Sequence, residues 1–274
     1  MFEIREFFGA RIRHRTELFL PHRKDYYFFF LVKNGKNRHW IDFVNYEVRP
    51  GHLYFTLPHQ VHLKEQSSPV DGTLLAFTEE FLFTDEQKAW KKLPILQNPD
   101  DRHELKLAET DITFLNNLFA QMLSEYAQAQ DWHKGMLQSY IKIFLVYTSR
   151  LYTRQFNVNP SPSDSQSLVR RMKDLVGQQY NVLHQVSDYA QLLNVTPGHL
   201  NDIIREQTGR TATTLIQERI VLEAKRALVH ADLSVKEIGY ALGFDDPAYF
   251  NRFFKRLTGE TPLNFRTTIR EKYH

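Results

Sequence analysis

The chain has 274 residues, a formal net charge of +3 and no cysteine. That length admits two domains with separate cores, and the absence of cysteine excludes disulfide staples and thiolate metal sites while fitting a reducing compartment. Lys and Arg balance Asp and Glu at 20 against 20 over residues 1–164 and exceed them by 15 to 12 over 165–274, so the positive excess lies in the C-terminal part.

The opening residues Met1-Phe2-Glu3-Ile4-Arg5 lack the apolar run of a signal peptide. The longest apolar run, Tyr26 to Val32, is far too short to span a bilayer, so a soluble cytoplasmic protein with no membrane contact is expected. Residues 1 to about 83 read as mainly β. Tyr26 to Val32 is rich in strand formers, Asn34-Gly35 is a hairpin signal, and Arg38 to Val44 resumes as a second strand. Turn signals at Arg49-Pro50-Gly51 and Val70-Asp71-Gly72 bracket further strands at Leu53–Leu57 and Thr73–Phe77, the spacing of a sandwich or small barrel, for which a cupin-type jelly roll is the expectation.

The histidines test for a metal. His22 is followed by Arg23-Lys24-Asp25, so no His-x-His pair forms there; His22 and His62 together leave a divalent ion short of protein ligands, and neither a metal nor a cofactor is expected. His52 and His59 read as surface residues beside turns. An apolar, aromatic barrel interior suits a small organic ligand, with a filled core as the alternative.

Thr84 to Thr110 has no clear period. Beyond it, Ile112, Leu115, Phe119, Met122 and Tyr126 recur at helical spacing, as do Leu137, Tyr140, Ile141, Phe144, Thr148, Leu151 and Tyr152. A short turn near Asp131 makes these an antiparallel pair that packs on the β region, mediates dimerisation, or both. The segment 157–165, with two prolines among small polar residues, is read as a linker between a first domain at 1–156 and a second at 166–274.

The second domain reads as all-helical. Leu168 to Tyr180 is an amphipathic helix. Gln185 to Leu193 turns inward Val186, Tyr189, Ala190 and Leu193, and after Asn194-Val195 a second helix opens with Thr196 as cap and Pro197 at its first position, held by Leu200, Ile203 and Ile204 and closed at Gly209. This is a helix-turn-helix. A continuous helical pattern from Thr211 to His230 follows, about 30 Å long by helical rise and comparable with the roughly 34 Å of one B-DNA turn.

A second helix-turn-helix occupies Ser234 to Arg266. Ser234 caps with Glu237 as its capping-box partner, Val235, Ile238, Ala241 and Leu242 face inward, Gly243 stops the helix and Phe244 fills the corner. Asp245 or Asp246 caps the next helix. Pro247 lies in its first turn, Tyr249, Phe250, Phe253, Phe254 and Leu257 form its apolar side, and Gly259 ends it. Ile238, Ala241, Gly243-Phe244, Tyr249-Phe250, Phe253-Phe254-Lys255, Gly259, Pro262 and Phe265-Arg266 together resemble the signature of the AraC/XylS family of transcription regulators.

The N-terminal half is similar, more loosely, to the sensor domain found ahead of such DNA-binding domains, through Pro21-His22, Asn34-Gly35, Pro50-Gly51 and Pro58-His59-Gln60-Val61-His62. The resemblance implies a homodimer whose helical pair supplies the contact, a small-molecule effector in the first domain, and double-stranded DNA as the partner of the second, with RNA polymerase as a further partner in an activator. Groove-facing residues implied by the family pattern are Gly198, His199, Asn201, Asp202 and Arg205 on the first recognition helix and Pro247, Ala248, Asn251, Arg252 and Lys255 on the second. Asp202 stands where a donor is usual. Candidate effector contacts are His22, Tyr27, Phe29 and His62. The expectation is a DNA-binding regulator rather than an enzyme: control by a protein partner is the alternative to an effector, whereas a cupin-type metal enzyme lacks its ligand set, and no nucleophile triad, paired carboxylates or phosphate loop is spaced along the chain.

Overall fold

The computed structural model describes residues 1–8, 22–64, 69–82, 90–98, 102–158, 164–230 and 232–273. The chain divides into two compact units, Met1–Pro160 and Ser161–His274. Among the described residues no helix is long and apolar enough to cross a membrane.

The first unit carries two antiparallel sheets. One has the order β1-β8-β3-β6-β9, from Phe2–Phe8, Asp71–Phe77, Tyr27–Asn34, His52–Thr56 and Glu104–Lys106. The other has the order β2-β7-β4-β5, from His22–Arg23, Val61–Lys64, Asn37–Ile41 and Val44–Val48. Successive strands pass back and forth between the sheets, and this order is that of a jelly roll.

Asn34-Gly35 is therefore not the tip of a hairpin. β3 pairs with β6 and β8, whereas β4 pairs with β5 and β7, so the turn hands the chain from one sheet to the other. Gly35 has φ +90, and a Cβ there would lie 2.2 Å from the Pro69 carbonyl oxygen; only glycine fits so close a backbone crossing. The hairpin falls inside the stretch read as one strand, at Asp42-Phe43, where both residues have positive φ and Ile41 faces Val44. Positive φ at both central residues is the requirement of a type I′ turn. Asp42 also ties the hairpin to its neighbour: its carboxylate accepts from Val61 N at 2.9 Å and from Gln60 Nε2 at 2.8 Å.

Alternation along β3 divides the aromatic run between two faces. Tyr27, Phe29 and Leu31 join Leu53, Phe55, Leu75 and Phe77 in a core with the helices α3 (Glu109–Gln128) and α4 (His133–Phe156). Phe29 meets Phe144 edge to face at 4.8 Å. Phe28, Phe30 and Val32 point the other way, where Val32 and Phe30 meet Val48 and Tyr46 of β5. The sheet thus has a wet-to-dry alternation on neither side; both faces are covered, which is why β3 reads as an unbroken apolar run. A short helix α1 (Glu79–Leu82) closes the stretch read as mainly β, and the pattern-poor stretch contributes α2 (Pro94–Gln97) and the edge strand β9, so the β region extends past residue 83. The apolar stripes of α3 and α4 bury Leu115, Phe119, Met122, Leu137, Ile141, Phe144 and Tyr152 against the sheet, while Tyr126 stays exposed beside Phe2.

The second unit is helical. α5 (Asp164–Gln179) begins within the stretch read as linker, since Asp164 lies in its first turn. Then come α6 (Val186–Leu193), α7 (Pro197–Thr208), α8 (Ala212–His230), α9 (Val235–Ala241), α10 (Pro247–Thr258) and α11 (Pro262–Tyr273). α8 is the axis of the unit, burying Ile216, Ile220, Ala224 and Leu228. Glu223 on the same helix is buried with Arg226, and its Oε1 lies 2.8 Å from Arg219 Nη2 and 2.5 Å from Arg226 Nη1. Arg266 caps the far end of α8, donating from Nε to Leu228 O at 3.1 Å and from Nη2 to Leu233 O at 2.7 Å.

Candidate nucleic-acid interface

Two helix pairs, α6–α7 and α9–α10, repeat one local design. Thr196 caps α7 by accepting from His199 N, and Asp246 caps α10 by accepting from Ala248 N at 2.8 Å and Tyr249 N at 3.1 Å; proline follows each cap. Glycine closes each helix, with Gly209 N donating to Arg205 O and Gly259 N to Lys255 O. Inside the terminal turn, Thr208 Oγ1 donates to Ile204 O at 2.7 Å and Thr258 Oγ1 to Phe254 O at 2.8 Å. Of the two cap candidates for α10, Asp246 is the one that caps, and the Ser234–Glu237 capping box forms at α9 with both bonds present. Those bonds from Ser234 hold the Glu237 carboxyl below its ordinary range.

The corner of the second pair needs glycine. Gly243 has φ +82, and a Cβ there would lie 2.3 Å from Asn181 O. Phe244 fills the corner, with its ring 5.2 Å from Phe250 and 5.0 Å from Phe253. His184 Nε2 lies 2.9 Å from Leu242 O and its ring 4.9 Å from Phe244, so the loop before α6 braces the second pair.

Burial separates the faces of the two helices. Leu200 and Ile204 hold α7 to the core, and Phe250, Phe253 and Phe254 hold α10. Gly198, His199, Asp202 and Arg205 on α7 are exposed, as are Ala248, Arg252 and Lys255 on α10. Ala248, Arg252 and Lys255 follow the i, i+4, i+7 spacing of one helical face. Asn201, Pro247 and Asn251 are half-buried. Asn201 Oδ1 accepts from Ala212 N at 3.1 Å, which satisfies the first turn of α8, and Asn251 Nδ2 donates to Pro247 O at 2.8 Å. Each asparagine thus has an internal bond, and only the rest of its amide is open to a base.

Tyr249 and Leu257, read from the sequence as core, are not buried: Tyr249 is 51 % exposed. Helical angle explains Tyr249, which sits just outside the arc defined by Phe250, Phe253 and Phe254; Leu257 lies within that arc but in the last turn of the helix. Tyr249 adds an aromatic ring with a hydroxyl to the outward face beside Ala248 and Arg252, which the strict apolar period hid, and Arg256, legible in the sequence as a donor opposite the apolar side, is exposed as a further cation. Arg252 Nη2 lies 3.5 Å from Asp246 Oδ2, a solvated pair of little worth to the fold.

In the first unit Tyr27 and Phe29 do not converge with His62, and the His22 side chain lies outside what the structure describes. Tyr27 and Phe29 belong to the core under α3 and α4, on the opposite face of β3 from the space between the sheets. His62 is fully buried on β7. Its strand partners are His22 on β2 and Ile41 on β4, and its ring centre lies 5.5 Å from that of His39. His39 was not a sequence candidate, yet the antiparallel register puts it on the same face as Ile41. Thr56, also fully buried, is on the face of β6 opposite to Leu53 and Phe55, as is Tyr54, whose hydroxyl donates to Glu47 O. Burial first and the Glu104 charge second push the Tyr54 phenol well above its ordinary range. His52, expected on the surface, is buried in β6 with Nδ1 3.1 Å from Pro50 O. Among the described residues no group of three or more His, Asp or Glu side chains is placed to hold a metal.

The two units are a sheet-rich N-terminal domain and a helical domain built around two helix-turn-helix pairs. Comparison with known proteins supports both parts. Residues 6–131 match the AraC-like ligand binding domain and residues 189–268 match a helix-turn-helix domain of the AraC type. The chain thus resembles transcriptional regulators of the AraC family over both units.

The chain is 40 % identical over 77 residues to the HTH-type transcriptional regulator GlxA of Rhizobium meliloti, covering 28 % of this chain and 24 % of that protein. It is 31 % identical over 87 residues to the arabinose operon regulatory protein of Escherichia coli, covering 32 % and 30 % of the two chains. The chain thus spans less than a third of the length of these two relatives. Over nearly the whole length, it is 23 % identical to the HTH-type transcriptional activator RhaR of Cronobacter sakazakii, across 93 % of this chain and 89 % of that one.

Proposed function

We propose that the protein is a sequence-specific, DNA-binding transcriptional regulator whose N-terminal domain responds to a small organic effector. The observation that carries the DNA reading is the repeated pair of capped helices, each held to the core on one side and presenting polar side chains to solvent on the other. α8 joins them and, with 19 residues, spans about 28 Å, a length suited to neighbouring major grooves on one face of a duplex. In this reading the groove-facing set is Gly198, His199, Asp202, Arg205, Pro247, Ala248, Arg252 and Lys255. Asn201 and Asn251 brace the helices from within and offer a second bond to a base, and Tyr249 joins the outward face.

The effector, in this reading, lies between the two sheets rather than beneath the helices. Its apolar contacts come from Phe28, Phe30 and Val32 and its polar contacts from His39, Thr56 and His62. A regulator of this kind works in the cytoplasm as a homodimer, with α4 as the contact helix, and meets RNA polymerase where it activates. An effector can shift DNA occupancy only through a difference in affinity between two conformations or assemblies.

One experiment tests the whole proposal. Binding isotherms on a promoter duplex, with the intact chain and with a fragment of residues 161–274, are recorded with and without small-molecule extract of the cells. The intact chain gains or loses affinity with extract, and the fragment stays indifferent. Failure of both to bind any duplex selectively would overturn the DNA reading, whereas equal responses in both would remove the N-terminal domain as the sensor.

A further inference from the structure

α7 and α10 superpose in sequence at an offset of 50 residues, from Pro197 against Pro247 to Thr208 against Thr258, with cap, buried positions and closing glycine in register. The same offset pairs the solvent-facing positions. Asp202 corresponds to Arg252, Arg205 to Lys255 and Glu206 to Arg256. All six are exposed. One scaffold thus carries three cations on α10, but two carboxylates and one cation on α7.

We infer that the two recognition helices divide the work: α10 supplies most of the ionic affinity for the duplex, and α7 adds little ionic affinity but discriminates sequence, with Asp202 accepting from the amino group of a cytosine. This rests on the DNA-binding reading above. Each phosphate neutralised by a cation releases counterions and steepens the salt dependence of binding by about 0.9 in log–log slope. α10 has three such cations on and beside its outward face; α7 has Arg205 flanked by two anions that oppose the phosphates.

A carboxylate at the floor of the major groove meets acceptors on guanine, adenine and thymine, and a donor without a competing acceptor only on cytosine N4. Asp202 therefore costs binding at most base pairs and is compensated at one. That is discrimination by repulsion of the wrong site, which does not require tight binding of the right one. Glu206, one turn on from Asp202, extends the anionic strip along the flank and keeps α7 from settling on the backbone.

The test uses the full-length chain. A preferred duplex is selected from a randomised pool, and its affinity is then measured by anisotropy over roughly 50 to 200 mM salt, the range in which phosphate contacts dominate. The combined variant Arg252→Gln, Lys255→Gln, Arg256→Gln should flatten the slope by about two to three units, and Arg205→Gln by about one at most. Repeat selection with Asp202→Asn should lose a cytosine preference of about tenfold or more at one position, with random duplexes bound a few-fold tighter.

All of these side chains are exposed, so thermal melts matching the wild type confirm that each variant is folded. Equal slope changes for the Arg205 variant and the α10 triple variant would overturn the division of ionic work. Retention of every base preference by Asp202→Asn would overturn the cytosine assignment. A wild-type chain that enriches no site from the pool would instead bring down the DNA-binding reading itself.

Discussion

The helical unit and the jelly-roll unit differ in where their information lies. In the helical unit the caps, buried stripes and outward cations have local reasons, within a turn or two of one another, and contacts such as His184 with Leu242 or Gly243 with Asn181 are the long-range exceptions. In the jelly roll the partners are distant, as with Gly35 under Pro69 or Phe29 against Phe144. Local rules therefore describe the helical unit nearly completely and the jelly roll only in outline. The same difference predicts that faults in the two units have separate consequences, since each has its own core.

The largest effect is expected at Glu223. Its carboxylate is buried between Arg219 and Arg226 on the axial helix of the second unit. Glu223→Ala leaves a buried guanidinium without this counter-charge, and loss of one partner of such a pair costs about 3–5 kcal/mol. Urea melts followed by domain-specific probes should show the helical unit unfolding earlier while the jelly roll keeps its midpoint. Coincident loss of both transitions would show that the two units are one cooperative block.

Phe29→Ala supplies the reciprocal fault, at about 3–5 kcal/mol for an emptied aromatic site. It should lower the midpoint of the first unit and leave DNA binding by the second intact. This variant also tests the parity of β3. A residue beneath α4 affects stability, while Phe28 or Phe30, facing the second sheet, should alter effector response at a smaller cost in stability. A larger response change at Phe29 than at Phe30 would reverse the assignment of the two faces.

Such parity was not legible in the sequence. Tyr26 to Val32 is apolar at every position, so no alternation marked which side would meet helices; Tyr27 and Phe29 were placed in the ligand space for want of that signal. His39 was missed because its approach to His62 depends on the pairing of β4 with β7, a long-range register. In contrast, Ser234, Glu237, Phe244 and Gly259 act on neighbours in sequence and were readable; Asp245 and Asp246 were equal as caps, and Gly243 was readable as a helix stop but not for its close approach to Asn181. Asn201 and Asn251 mark the boundary between the two cases: their place on the helix was evident, but the bonds to Ala212 and Pro247 that occupy part of each amide were not.

Arg252→Ala addresses the helical unit where its function is local. If the Arg252 guanidinium reads a guanine in a bidentate pair besides adding to the ionic affinity, specific binding should weaken by about 1–3 kcal/mol and one base position should relax. Its ion pair with Asp246 is solvated and contributes little to folding, so the thermal midpoint should hardly move. Site selection with both proteins decides the role. Uniform weakening with unchanged preference would assign the guanidinium to phosphate alone.

The smallest effect on stability, and the sharpest contrast between units, is expected on α4. Ile143 is 47 % exposed and Met136 43 %, and the two lie seven residues apart, on one face of the helix turned away from Ile141 and Phe144. Neither fills the core, and an exposed substitution away from caps and buried networks changes stability by about 0.5 kcal/mol or less. Ile143→Glu should therefore leave the melt of the first unit unchanged. If this face is where two copies meet, a carboxylate there must be desolvated in the dimer without a partner, so the chain should sediment as a folded monomer at micromolar concentration. Operator affinity should then fall through the loss of the second copy, although no residue near the duplex has changed. A variant that remains dimeric would move the contact to another face, and a wild-type chain that is monomeric on and off DNA would leave α4 with its role in the core alone.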